Sequence, residues 1–109
     1  GMDVQVFKTK TLARSYSMTN DLLDREHVTL HIRNNPEIFS SINLIAPNTL
    51  YWPELGLTLD ETDDFVILDK IISNFYPQID FSLSAIISFL KENPEIIDIN
   101  SSVIRKGDT

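Results

Sequence analysis

No cysteine occurs in this chain, and only three of its 109 residues are glycine. The first absence removes disulfides, thiolate nucleophiles and zinc–thiolate sites together. The second removes the glycine-rich loop whose backbone N–H groups grip phosphates, since Gly1, Gly56 and Gly107 stand far apart. Basic residues are also few: nine Lys and Arg against sixteen Asp and Glu leave a net charge of −7. Polyanion binding needs clustered cations that displace counterions, and Arg25, Arg33, Arg105 and Lys106 are scattered, which argues against a nucleic-acid partner. No apolar run approaches the ~20 residues that cross a bilayer, so no membrane partner is expected. What remains is 42% apolar residues, enough for one small domain with a core. A chain of this size buries only about two thirds of its unfolded surface. The composition is that of a globular intracellular protein, expected in the cytoplasm.

Three segments alternate apolar and polar residues as half-buried strands do. They are 3–7 with Val4 and Val6, 41–45 ended by Pro47, and 55–59 with Leu55, Leu57 and Leu59. The first and third lead toward helical spacing, while 41–45 is followed by a loop over 49–53 that carries Tyr51 and Trp52. A helix is expected to begin near Leu12 and to break over 17–21. From 61 to 76, Phe65, Leu68, Ile72 and Phe75 form an apolar stripe that Ile67 and Ile71 widen. Asp60 suits the N-cap of that helix, and Glu61, Asp63 and Asp64 put negative charge where the first turn favours it. Ser82 caps a last helix with Leu83, Ile86, Ile87 and Leu90 on one face, ended by Asn93 and Pro94. Residues 28–33 fit two patterns. Val28, Leu30 and Ile32 alternate as in a strand, while Val28 and Ile32 also lie at the i,i+4 spacing of a helix.

The stretch LDETDDFVILDKIISNFYP (59–77) resembles the strand, acidic turn and helix near the C-terminus of sugar-acid cytidylyltransferases. GMDVQVF (1–7), DREHVTLHIRNNP (24–36) and FSLSAIISFLKENPEIIDIN (81–100) are similar, in the same order, to segments of the spore coat polysaccharide biosynthesis protein F family. The resemblance implies an α/β fold, the C-terminal part of a Rossmann-like nucleotidyltransferase sheet, or α+β if the chain is classed alone. It also implies a helix over 28–33, with Asp24 as N-cap and Pro36 closing the segment. Nothing matches the family's nucleotide-binding loop, so the N-terminal half is expected to be absent and the chain by itself inactive. Gly1 and Met2 read either as part of the first strand or as a remnant of cloning.

For the intact enzyme the resemblance implies CTP-dependent activation of a sugar acid for surface or spore coat polysaccharide. Asp60 would bind Mg²⁺, a hard cation that prefers oxygen ligands and bridges phosphate oxygens. Arg25, Glu26 and His27 would face the sugar acid, Arg25 by gripping its carboxylate through two hydrogen bonds. Asp3 is a further candidate binding residue, while Gln5 stands where the family has a glutamate, which limits it to neutral hydrogen bonding. The structural readings stand beside these: Asp60 as a helix cap, Arg25 and Glu26 as decoration of a helix start, His27 as a buried imidazole. His31 receives no role.

Other chemistries find no pattern. The serine pairs lack a glycine-flanked nucleophile turn, and His27 and His31 lack the glutamate of a helical zinc-protease site. Glu26 and Asp60 as a glycosidase pair have no separation readable from sequence. The alternative to an enzyme is an assembly or dimerisation module. A homo-oligomer is expected through strands near 4–7 or 55–59, with Tyr51 and Trp52 as interface aromatics.

Overall fold

The computed structural model describes residues 3–105. Gly1 and Met2, expected at the start of the first strand, lie outside the described residues, as do 106–109 with Lys106 and Gly107. The described chain forms two compact units, one of residues 4–44 with Arg105 and one of Asp3 with 45–104.

The first unit holds α1 (Thr9–Met18), α2 (Leu22–Glu26) and α3 (Leu30–Asn34). None is long enough to stand alone in water, so packing must hold them. Helix α3 packs against both α1 and α2, and Leu30 and Phe39 supply the buried apolar centre. Ser15 is buried in α1 and its Oγ lies 3.0 Å from His31 Nδ1. The imidazole of His31 stands edge-on to Phe39, with ring centroids 5.9 Å apart. The helix expected over 28–33 is found at Leu30–Asn34, separated from α2 by a turn in which Val28 takes a φ of 22°. The expected cap Asp24 falls inside α2; Asp21 caps it instead, accepting from the Leu23 N–H at 2.8 Å.

The second unit holds α4 (Thr62–Phe75), α5 (Leu83–Glu92), α6 (Pro94–Ile97) and a 3₁₀ turn, Asp98–Asn100. Ser82 caps α5 as its sequence predicts, accepting from Ala85 N–H at 3.2 Å. Ile67 and Ile71 of α4, Ile86 and Leu90 of α5 and Ile96 of α6 form the core, with Trp52, Leu55 and Leu57 packed on its edge. Phe75 stacks on Phe81 at 4.5 Å and meets Phe89 edge-on at 6.0 Å. The buried line of α4 is Asp64, Ile67 and Ile71. The stripe expected to lead, Phe65 and Ile72, is 59% and 51% exposed, so the helix is rotated from that reading.

The expected α/β fold is corrected. Among the described residues there is no strand and therefore no Rossmann-like sheet; the elements are helical, joined by segments without regular structure. The physical reason is that alternation states which side chains share a face, whereas a strand exists only when its N–H and C=O groups pair with a neighbour. Residues 3–7 and 41–45 make no backbone-to-backbone hydrogen bond with another described residue. Residues 55–59 are held otherwise: Leu55 N–H donates to Trp52 O at 3.1 Å, and Asn100 Nδ2 donates to Gly56 O at 3.1 Å.

Candidate functional site

The start of α4 is the most organised polar cluster of the second unit. Asp64 is the third residue of the helix, where a carboxylate can reach back to the N–H groups that the first turn leaves unpaired. Its Oδ2 accepts from Glu61 N–H at 2.9 Å and from Asp60 N–H at 3.1 Å. Its Oδ1 accepts from Asn100 Nδ2 at 2.9 Å, although the two residues lie 36 apart in sequence. Asp64 is 1% exposed and Asn100 8%. Three donors converging on one carboxylate offset the cost of removing it from water. The arrangement therefore clamps the end of α4 to the 3₁₀ turn and to Gly56.

Asp60 stands beside that clamp, exposed at the surface. Glu61, not Asp60, is the N-cap of α4. No group of three or more His, Cys, Asp or Glu that could hold a metal ion occurs among the described residues. Asp3 borders a shallow groove of about 330 Å³ in the same unit, walled by Trp52, Leu55, Leu57, Leu83 and Ile87. Asp60 does not line it.

Arg25, Glu26 and His27 lie together in the first unit, at the end of α2. Arg25 Nη2 donates to Tyr16 O at 2.9 Å and to Thr19 O at 2.6 Å. Its guanidinium also lies 3.6 Å from the centroid of the Tyr16 ring. These carbonyls are the ones that the end of α1 leaves without an intrahelical partner, so Arg25 acts as a C-terminal staple. Glu26 is exposed. His27 closes α2 through its backbone, donating N–H to Leu23 O at 2.9 Å and accepting from Leu30 N–H at 2.8 Å. A cleft of about 240 Å³ between α1 and α2 is lined by Leu12, Tyr16, Asp24, Arg25 and Val28, but by neither Glu26 nor His27.

Several large apolar side chains of the first unit are exposed. Val4 and Val6 are 86% and 94% exposed, and Ile42 and Leu44 are 88% and 93% exposed. Both pairs lie in segments that belong to no helix or turn, and Ile45, next to Leu44, is 80% exposed. The segment 55–59 differs, because Leu55 and Leu57 turn toward the core and only Leu59 is exposed. Of the aromatics expected at an interface, Tyr51 is exposed and Trp52 packs against the core.

The chain is similar to two curated proteins. It is 33% identical over 107 residues to an uncharacterized protein of Methanocaldococcus jannaschii, covering 98% of this chain and 44% of that one. It is 34% identical over 71 residues to the spore coat polysaccharide biosynthesis protein SpsF of Bacillus subtilis, covering 65% of this chain and 30% of that one. The chain thus spans less than half the length of either relative. No family model matches the chain. No solved structure matches it either.

These findings correct the expected membership of the spore coat family and the cytidylyltransferase activity drawn from it. The likeness covers part of the chain and a smaller part of the relative. The described residues lack the paired strands on which such an enzyme displays its site, and they lack a cluster of metal ligands. The expectation of Mg²⁺-dependent nucleotidyl transfer loses its structural basis with the sheet.

Proposed function

We propose that this chain is a non-enzymatic assembly module, acting by pairing with another protein surface. The observation that carries this reading is the set of apolar side chains exposed on backbone outside the helices that makes no backbone hydrogen bond with another described residue: Val4, Val6, Ile42 and Leu44, each at least 86% exposed. Exposed apolar residues scattered singly are ordinary, but alternating ones on a backbone with free N–H and C=O groups are a template for another chain. One of the residues that drew a catalytic reading supports it from the other side. Arg25 is spent on the carbonyls at the end of α1.

Sedimentation equilibrium over the micromolar range tests the proposal. The expected outcome is a concentration-dependent rise of the mass above the 12.5 kDa of one chain. A single species of monomer mass at every concentration, with no change on adding a candidate partner, would remove the reading.

A further inference from the structure

Charge is spread unevenly along this chain. From Ile38 to Pro53, sixteen consecutive residues include no Asp, Glu, Lys or Arg, although the whole carries −7. A second copy brings the same charge and is repelled wherever carboxylates face carboxylates. The uncharged stretch is where two copies can meet at least electrostatic cost. Within it, residues 41–44 belong to no helix or turn, and their backbone N–H and C=O groups make no backbone hydrogen bond with another described residue. Ile42, Leu44 and Ile45 are 88%, 93% and 80% exposed. The segment begins just after Phe39, which is buried and donates its N–H to Asn35 O at 3.0 Å, so its N-terminal end is fixed. The other exposed pair is less suited to self-pairing. Asp3 and Lys8 border it, and the side chain of Gln5 already accepts from Thr29.

Resting on the assembly reading, we propose that two copies of this chain pair antiparallel through residues 41–44, about a two-fold axis at Asn43. The register follows from the side chains. With the axis at Asn43, Ile42 stands opposite Leu44 of the second copy and Leu44 opposite its Ile42, so these four side chains share one face of the paired strands, while Ile45 lies on the other. A shift that sets Ile42 opposite Asn43 divides the apolar set between the two faces. The paired backbone then satisfies groups that one copy alone leaves to water. A two-fold axis makes the contact self-complementary and closes the assembly at two chains.

The chain has no cysteine, so Asn43→Cys introduces a single thiol. Residues directly opposite in an antiparallel pair have Cα atoms about 4.5 to 5.5 Å apart, within the range a disulfide spans. The thiol of Ser41→Cys would sit about 13 Å from its counterpart along the pair, at ~3.3 Å per residue. Under mild oxidation at a concentration where the parent chain sediments as a dimer, Asn43→Cys should form a covalent dimer well ahead of Ser41→Cys. Ile42→Lys should raise the dimer dissociation constant at least about tenfold, since a cation is desolvated twice in a symmetric contact. Its helical ellipticity should not change, because residue 42 is 88% exposed. Equal cross-linking of the two cysteine variants, or an Ile42→Lys dimer as tight as the parent, overturns this pairing while leaving assembly through another surface in place. A parent chain that never dimerises but captures a different protein overturns self-pairing, and one that does neither overturns assembly as well.

Discussion

Asp64 shows how one carboxylate can hold a helix start to a distant part of the chain. It is 1% exposed and accepts three hydrogen bonds, from two backbone N–H groups and from Asn100. Asp64→Ala removes the acceptor and leaves the Asn100 amide and two N–H groups without it, so unfolding free energy should fall by about 2 to 4 kcal/mol. Asn100→Ala should cost less, since it removes one donor to Asp64 and one to Gly56. The double variant should cost less than the sum of the two, because the singles share a bond. Urea unfolding followed by helical ellipticity measures all three; a loss below about 1 kcal/mol for Asp64→Ala would show that the clamp carries no weight. This role was not legible in the sequence. Asp60, Glu61, Asp63 and Asp64 look alike as first-turn acids, and only a partner 36 residues away decides which is buried. Pattern reading favoured Asp60, the one at the end of an alternating segment. The polar step that could have pointed to Asp64 is its place three residues after an N-cap position, where a side chain reaches back to the backbone.

Helices were legible where their determinants are local. Ser82, the apolar line through Ile86, Ile87 and Leu90, and Asn93 before Pro94 define α5 from its own residues, and the structure has them in those roles. The strands were not legible as absent, because alternation at 3–7, 41–45 and 55–59 is a statement about faces and says nothing of a neighbour to pair with. The buried face of α4 was misjudged for a related reason: Phe65 and Ile67 both fit an apolar stripe, and the packing of α5 and α6 selects Ile67. Short helices carry a parallel lesson. Helices α1 and α2 have ten and five residues and depend on contacts beyond themselves. Arg25 supplies one such contact, two hydrogen bonds to carbonyls at 16 and 19 and a cation over the Tyr16 ring. Arg25→Ala should therefore cost about 1 to 2 kcal/mol of stability, and Arg25→Lys should recover only part, because an ammonium lacks the planar fork. Hydrogen exchange at α1 amides should quicken in both. Unchanged stability and exchange in Arg25→Ala would return this arginine to the surface and reopen a binding role for it.

At the scale of the whole molecule the decisive quantity is the net charge of −7, which acts on every encounter between two copies. Repulsion between them extends about 30 Å at 0.01 M ionic strength and about 8 Å at 0.15 M. Where the contact is an uncharged segment such as 41–44, salt has no attractive ion pair to weaken and only the repulsion to screen. Self-association should then tighten as sodium chloride rises from low millimolar to about 0.3 M, most steeply at the low end where the screening length changes most. An interface built on carboxylate and lysine or arginine pairs behaves in the opposite sense, since screening removes its attraction. Sedimentation equilibrium at three salt concentrations separates the two by the sign of the slope. A dissociation constant that rises with salt would place the contact on the charged surface and take residues 41–44 out of it.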